Sequence, residues 1–137
     1  MPSVRQKAFA FRLEPESGVP VYRQLIDQVL GGLASGALTG GEQLPTVRQT
    51  AVDLSINPNT VIRAYRELEI RGVLKTEQGT GTFISHKPVK RDEVERRRQL
   101  NQMISDLVAR AGAAGFTVEE LLEELRDRQN GTPKNRR

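Results

Sequence analysis

The chain has 137 residues, of which 21 are Lys or Arg and 17 are Asp or Glu, so its formal net charge is +4. Apolar residues make up 36% and aromatic residues only 4%, which allows one small domain, or one and a half, with a limited core. The absence of Cys excludes disulfides and thiolate metal sites, and a single His, His86, argues against a His-based metal site or a Ser-His triad. We therefore predict no metal and no cofactor.

The remaining sequence patterns favour neither an enzyme nor a membrane protein. There is no P-loop, no complete GxGxxG motif and no pair of carboxylates at a recognisable cleft. No apolar run approaches the roughly 18 residues of a membrane-spanning helix, and the first residues lack the apolar block of a signal peptide. We predict a cytoplasmic protein that is not an enzyme and has no membrane partner.

Residues 1–18 are predicted to form an N-terminal arm. Within it, Phe9, Phe11 and Leu13 alternate with polar or small residues, which is typical of either a short strand or an extended arm packed on the body. Residues 14–20, EPESGVP, form a turn-rich connector.

From Val21 the apolar residues follow the i, i+3, i+4 period of an amphipathic helix, predicted to run to Ser35 and to stop at Gly36. Gly31 and Gly32 conflict with this prediction, because each costs about 1 kcal/mol inside a helix. They indicate either close packing or a weak last turn.

Two shorter helices follow. Thr46 and Gln49 have the spacing of a capping box, which predicts a helix to about Leu54. Asn57 is a favourable N-cap and Pro58 suits the first helical position, so the next helix starts sharply there and ends near Arg71. The predicted inward residues are Val47, Ala51 and Leu54 in the first of these helices, and Val61, Ala64, Tyr65 and Leu68 in the second.

Two β-prone runs, 73–76 and 82–85, flank the sequence Gln78-Gly79-Thr80-Gly81, which predicts a hairpin with a glycine-containing tip. The order helix, short helix, tight turn, helix and hairpin is that of a winged helix-turn-helix, which we assign to residues 19–87. The predicted fold is mainly α, with a small β-hairpin wing and two further helices at the C-terminus.

In such domains the second helix of the pair lies in the major groove of DNA. The inward stripe of the helix after Pro58 leaves a polar outer face that can hydrogen-bond base edges. This face consists of Asn59, Thr60, Ile62, Arg63 and Arg66. The wing glycines allow a close backbone approach to DNA.

The segment PVYRQL and, after it, SGALTGGEQLPTVRQTAVDLSINPNTVIRAYRELEIRGVLKTEQGTGTFIS closely resemble the DNA-binding domain of the GntR family of bacterial transcription regulators. The match covers about residues 19–85. The stretch RLEPESGVPVYRQL and the short C-terminal region look more like the YtrA subfamily than like the larger branches of the family.

The resemblance implies a set of DNA-binding residues, namely Arg48, Asn57, Asn59, Thr60, Arg63, Gln78, Gly79, Thr80 and Gly81. We expect Arg48 to contact a base or a phosphate, and Asn57 to act as a helix cap rather than as a base contact. Ile62 departs from the usual polar residue and either meets a thymine methyl group or is merely tolerated. Tyr22, Leu25, Leu44, Leu68 and Phe83 are assigned to the core without a functional role.

Residues 88–130 are predicted to form a helix from about Lys90 to Ala113 and, after a capping box at Thr117 and Glu120, a second helix. This region is too short to bury a stable core alone, so it packs on the winged domain or on a second chain. The resemblance implies a homodimer built from these helices; the alternative is a helical hairpin within a monomer. The predicted dimerisation residues are Leu100, Met103, Ile104, Leu107, Val108, Leu121, Leu122 and Leu125. Residues 131–137 are predicted to be a disordered basic tail.

We therefore predict a dimeric, sequence-specific regulator of transcription that binds an inverted repeat in double-stranded DNA and represses an operon. The resemblance adds a transporter-linked operon and a small-molecule effector as further expectations. The alternative is a winged-helix module for protein–protein interaction without specific DNA binding. In that case Arg48, Arg63 and the wing glycines are dispensable.

Overall fold

The computed structural model describes residues 9–86 and 92–130. The chain divides between residues 87 and 88 into two compact units. The first unit contains α1 (Val21–Ser35), α2 (Val47–Leu54), α3 (Pro58–Ile70), β1 (Leu74–Glu77) and β2 (Gly81–Ile84), and the second contains α4 (Glu93–Ala113) and α5 (Val118–Gln129). The predicted fold is confirmed. In the described ranges, no helix is both long enough and apolar enough to span a bilayer.

Residues 9–13 form an extended arm on α1 and not a strand. Phe11 is buried in the core, with Phe9 and Leu13 packed against it. The side chain of Gln28 takes the place of a neighbouring strand: the Arg12 backbone N donates to Gln28 Oε1 at 2.9 Å, and Gln28 Nε2 donates to the Arg12 carbonyl at 2.5 Å. One amide thus satisfies both backbone groups of Arg12, so the arm needs no second strand.

The connector before α1 is closed by the buried side chain of Gln24. Gln24 Oε1 accepts from the Glu14 backbone N at 2.8 Å, and Gln24 Nε2 donates to the carbonyl oxygens of Glu14 at 3.2 Å and Val19 at 2.8 Å. A buried amide needs such partners. Pro20, at the N-cap position of α1, provides no side-chain cap. The hydrogen bonds of Gln24 therefore hold the chain at the start of the helix.

The two adjacent glycines of α1 have different environments. A Cβ added to Gly32 would lie 2.9 Å from Leu38 Cδ1 and 3.2 Å from Phe9 Cε1, whereas a Cβ on Gly31 would have no neighbour within 4 Å. Close packing therefore explains Gly32 and does not explain Gly31. The helix ends as predicted at Gly36, which has a left-handed φ of 88°.

The helix-turn-helix pair is organised by two N-caps. Thr46 Oγ1 accepts from the Gln49 backbone N at 3.0 Å, but the Gln49 side chain donates to Asp53 Oδ1 at 2.9 Å instead of returning to Thr46. The predicted capping box of α2 is therefore only half formed. Asn57 Oδ1 accepts from the Asn59 backbone N at 2.8 Å, and Pro58 occupies the first turn of α3.

Tyr65 connects α3 to the start of α2. Its hydroxyl donates to the Pro45 carbonyl at 2.7 Å and lies 3.4 Å from Thr50 Oγ1. Burial raises the pKa of the Tyr65 phenol. The core beneath this contact is formed by buried residues of the arm, the helices and the hairpin: Phe11, Leu25, Ile26, Val29, Leu38, Leu44, Ala51, Val61, Ala64, Tyr65, Leu68, Leu74 and Ile84.

The wing is an antiparallel hairpin in which Leu74 pairs with Ile84 and Glu77 pairs with Gly81. Strand β1 lies one residue later than predicted and β2 one residue earlier. Gly81 therefore begins β2 and does not belong to the tip. The loop before α2 pairs with the other edge of β2: the Leu44 N donates to the Thr82 carbonyl at 2.9 Å, and the Ile84 N donates to the Glu42 carbonyl at 2.8 Å. The wing is thereby attached to the segment that leads into α2.

In the second unit, α4 begins at Glu93 with Asp92 as its N-cap. The predicted start near Lys90 and the predicted disorder of residues 131–137 lie outside the described residues. The capping box of α5 is confirmed, because Glu120 N donates to Thr117 Oγ1 at 3.1 Å and Thr117 N donates to Glu120 Oε1 at 2.9 Å. Ala111 is buried, and its carbonyl accepts from Phe116 N at 2.8 Å.

Candidate DNA-binding surface

The predicted DNA-binding residues occupy three places in the first unit: the start of α2, the start of α3 and the wing. Thr60 and Gly81 are partly buried, and the others are exposed. The exposed set consists of Arg48, Asn57, Asn59, Arg63, Gln78, Gly79 and Thr80.

The first turns of α2 and α3 contain no acidic residue. The first turns of α4 and α5 differ, because they carry the pairs Glu93 and Glu95, and Glu119 and Glu120. A helix N-terminus attracts anions through its free N–H groups and its dipole, and a carboxylate in the first turn competes for that position. The two helices of the helix-turn-helix therefore start with N-termini that are electrostatically open to phosphate.

Asn57 has the capping role that was expected of it. Its Oδ1 accepts a hydrogen bond from the Asn59 backbone N at 2.8 Å, so the side chain is held at the helix start. The next polar side chains, Asn59 and Thr60, lie in the first turn of α3. Their side chains are the polar groups of this turn that remain available to a ligand, because the Asn57 side chain caps the helix.

Arg48, Arg63 and Arg66 are exposed cations on α2 and α3. Within residues 9–86 and 92–130, none of the three forms an ion pair with a carboxylate, although Arg23 and Arg71 pair with Asp27 and Glu67. An unpaired guanidinium can bind phosphate or a base edge without first breaking a salt bridge.

Arg63 has an aromatic partner that the sequence did not reveal. Its Cζ lies 3.7 Å from the centroid of the Tyr22 ring of α1. Tyr22 packs against the core as predicted, and its half-buried ring is also covered on one face by the guanidinium. The contact joins two helices that are distant in sequence, and no local pattern marks it.

Gln43 is a second residue that sequence analysis missed. Its Nε2 donates to the Thr80 carbonyl at the wing at 3.2 Å. A Cβ added to Gly81, whose φ is 140°, would lie 2.4 Å from that same nitrogen. Gly81 thus leaves the space through which the Gln43 amide reaches the wing.

The second unit has an exposed apolar surface. All the predicted dimerisation residues except the half-buried Leu121 are exposed, among them Met103 at 62% and Leu125 at 53%. Phe116, in the turn between α4 and α5, is also exposed, at 56%. Contiguous apolar surface of this kind usually marks an interaction site. We call the set Leu100, Met103, Ile104, Leu107 and Val108 the α4 apolar stripe.

The part of the chain described by the structure contains no cluster of three or more His, Cys, Asp or Glu residues that could hold a metal ion. Its candidate ligand-binding features are instead cations and helix N-termini, which suit a polyanion.

Comparison with known proteins decides the family. The profile described as "Bacterial regulatory proteins, gntR family" matches residues 12–84, more than half of the chain. The protein belongs to the GntR family. The HTH-type transcriptional repressor YtrA of Bacillus subtilis (strain 168) is 35% identical over 117 residues, which cover 85% of this chain and 89% of that protein.

Two solved structures are similar in fold to this chain. The transcriptional antiterminator from Listeria monocytogenes EGD-e has a TM-score of 0.68 at 25% identity, covering 95% of this chain and 100% of that one. YtrA from Sulfolobus acidocaldarius, a GntR-family transcription factor, has a TM-score of 0.52 at 29% identity, covering 85% of this chain and 93% of that one. The predicted YtrA-like resemblance is confirmed.

As a YtrA-like GntR protein, the chain is a DNA-binding regulator of transcription and not an enzyme. This settles the class of its activity.

Proposed function

We propose that this GntR protein is a cytoplasmic homodimeric repressor that reads an inverted-repeat operator with α3 in the major groove. The observation that carries the proposal is a combination on α2 and α3: both N-termini are capped and lack acidic residues, and the exposed arginines of these helices have no ion pair within the described residues. Phosphate contacts of this kind orient a protein on the duplex, and side chains of the groove helix then read the bases.

The roles follow from position. Arg48, at the start of α2, binds a phosphate or a neighbouring base. Asn59, Thr60 and Arg63 face the major groove, where Arg pairs best with guanine and Asn with adenine. For the exposed Ile62 the proposed contact is a thymine methyl group.

The wing supplies the remaining contacts. Gln78, Gly79 and Thr80 connect the two strands, and Gly81 starts β2. Because Gly79 has no side chain, the backbone at the tip can approach the minor groove or a phosphate closely. Strand β2 also pairs with residues 42–44, so the wing is attached to the segment that leads into α2.

The α4 apolar stripe, together with Leu121, Leu122 and Leu125 of α5, is proposed to bind the same surface of a second copy. A two-fold interface buries a self-complementary patch, which removes exposed apolar surface from both chains at once. A dimer also presents two α3 helices about one DNA turn apart, roughly 34 Å, as an inverted repeat requires.

Repression is supported by the relative from Bacillus subtilis, which is described as a repressor. A bound dimer represses when its operator overlaps a promoter. A small-molecule effector and a transporter-linked operon stay predictions from the subfamily resemblance. Such an effector acts only if its affinity differs between dimer geometries.

The test is fluorescence anisotropy with a duplex from upstream of the protein's own gene and a scrambled duplex, across a salt series. We expect tight binding to the native duplex with two chains per duplex, and a loss of about 1–3 kcal/mol for Arg63→Ala on that duplex. Arg48→Ala should weaken binding as well. Arg71→Ala is the matched control, because Arg71 lies at the other end of α3 and pairs with Glu67 at 3.4 Å.

Equal, salt-sensitive binding to both duplexes would remove the sequence-specific part of the proposal, provided that selection from random duplexes also enriches no site. No binding to either duplex at low salt would favour the alternative of an interaction module.

A further inference from the structure

We propose that Tyr22, in the first turn of α1, is a positioning residue that fixes the guanidinium of Arg63 for reading a base edge. The inference rests on the proposed function, because it takes α3 to be the helix that enters the major groove. It assigns a role in DNA recognition to a helix outside the helix-turn-helix pair.

The geometry is that of a close cation–π stack. Arg63 Cζ lies 3.7 Å from the Tyr22 ring centroid, well inside the limit of about 6 Å for such contacts. Tyr22 is half-buried and packs against the core, so the ring has a fixed place. Arg63 is exposed and has no ion pair in the described part of the chain, so the ring is the partner that orients it.

The direction of the contact matters for function. A guanidinium carries its five N–H donors in its plane, and a ring against its face leaves those donors free. A carboxylate partner would occupy the same donors that a guanine O6 and N7 require. Tyr22 therefore orders a long side chain while leaving its hydrogen-bonding edge available to DNA.

The simpler interpretation is that the stack only holds α1 against α3. These helices are already joined through side chains such as Leu25, Ile26 and Leu68, which are at most 1% exposed. The stack lies at the rim of this core. A purely structural role predicts that loss of the ring changes stability and leaves base preference unaltered.

The experiment is selection of sites from a random duplex library with the full-length wild type and with Tyr22→Leu, Tyr22→Phe and Arg63→Ala. Tyr22→Leu removes the aromatic face and keeps an apolar side chain; Tyr22→Phe keeps the face. We expect Tyr22→Phe to select the wild-type site. Tyr22→Leu should lose about three- to tenfold of its preference at one base position, the position at which Arg63→Ala also loses preference. The double variant Tyr22→Leu/Arg63→Ala should lose no more than Arg63→Ala alone.

Two outcomes separate this inference from the proposed function. If the wild type selects a site and Tyr22→Leu keeps every base preference, the positioning role is wrong while the proposed function stands. If the wild type selects no site, both are wrong. Thermal unfolding of each variant shows whether a loss of base preference results from a loss of folding stability.

A measurement on the wild type covers the case in which Tyr22→Leu does not fold. In NMR spectra, the Arg63 side-chain protons should be shifted upfield by the Tyr22 ring, and the shift should persist in the DNA complex. Absence of the shift in the free protein, or its loss on DNA binding, would overturn the inference.

Discussion

Gln43 and Thr80 join the segment before α2 to the wing, because Gln43 Nε2 donates to the Thr80 carbonyl at 3.2 Å. Strand β1 of the wing has a second attachment, in which Thr76 Oγ1 donates to the Glu69 carboxylate of the last turn of α3. The wing is thus held by side chains from both sides of the helix-turn-helix. Both hydrogen bonds lie within the folded domain.

Gly81→Ala tests this attachment. The new methyl group would displace the Gln43 amide, which now lies 2.4 Å from the Cβ position, and φ of 140° is strained for any other residue. We expect a loss of about 1–3 kcal/mol in the free energy of unfolding, measured by urea denaturation, and weaker DNA binding.

A double-mutant cycle supplies the control. Gln43→Ala and Gly81→Ala remove the same hydrogen bond, so their combination should cost less than the sum of the single changes. Gly79→Ala has a φ of 79° but open space around the Cβ, so it should be additive with Gln43→Ala. Full additivity in the Gly81 cycle would mean that the Gln43 contact does not hold the wing.

The adjacent glycines of α1 should respond in opposite directions to alanine. Gly31→Ala adds a methyl group to open space and should stabilise the protein by about 1 kcal/mol through helix propensity. Gly32→Ala places a Cβ 2.9 Å from Leu38 and 3.2 Å from Phe9 and should destabilise it by about 1–3 kcal/mol. Thermal or urea unfolding of the pair measures the difference, and an equal gain for both variants would contradict the packing seen around Gly32.

Tyr65→Phe should lower the free energy of unfolding by about 1–1.5 kcal/mol near neutral pH, because the Pro45 carbonyl loses its donor. The pH dependence has a defined sign. Burial raises the pKa of Tyr65 in the folded protein above its ordinary value of 10.0. As the pH rises, the Tyr65 hydroxyl therefore loses its proton in the unfolded chain before it does so in the folded protein. The contribution of the Tyr65 hydroxyl to the free energy of unfolding is complete below about pH 10 and is lost as the pH rises through the pKa of Tyr65 in the folded protein.

Urea unfolding between pH 8 and about 11 measures this effect. The difference between the wild type and Tyr65→Phe should shrink above about pH 10, since Phe does not titrate. The other tyrosine, Tyr22, is present in both proteins and cancels in the comparison. A difference that grows with pH would show that the Tyr65 phenolate is stabilised in the folded protein.

The proposed dimer is tested at the α4 apolar stripe. Met103→Lys and Leu107→Lys each place an unpaired charge in a buried interface and should weaken association by about 2 kcal/mol or more. Ala109→Lys is the matched control, because Ala109 is exposed and lies on the opposite side of α4. Sedimentation analysis should show monomers for the first two variants at a concentration where the control stays dimeric. An unchanged mass for all three would place the interface elsewhere or leave the chain monomeric.

The parts of the fold that depend on neighbouring residues could be predicted from the sequence. Asn57 and Pro58 set the start of α3 because capping involves only the next two or three residues. Thr117 and Glu120 did the same for α5. The local prediction for Gln49 was wrong because Asp53, one turn ahead, competes for the same side chain.

The remaining features depend on contacts across the fold. Gly32 could be explained only once Leu38 and Phe9 were seen against it, since sequence alone allowed a weak last turn as well. The stack of Arg63 on Tyr22 and the bond from Gln43 to Thr80 join residues from separate elements, and neither pair has a spacing that marks it. These contacts position residues of the candidate DNA-binding surface. The surface residues themselves could be predicted from the sequence, but the contacts that hold them could not.

The most direct test of the central claim is the stoichiometry and sequence preference of the DNA complex. Sites selected from a random library by the full-length protein should form an inverted repeat with half-site centres about 10 base pairs apart. Sedimentation of the complex should give two chains per duplex, and a duplex with one half-site scrambled should bind much more weakly. A selected site without two-fold symmetry, or one chain bound per duplex, would contradict the dimeric account.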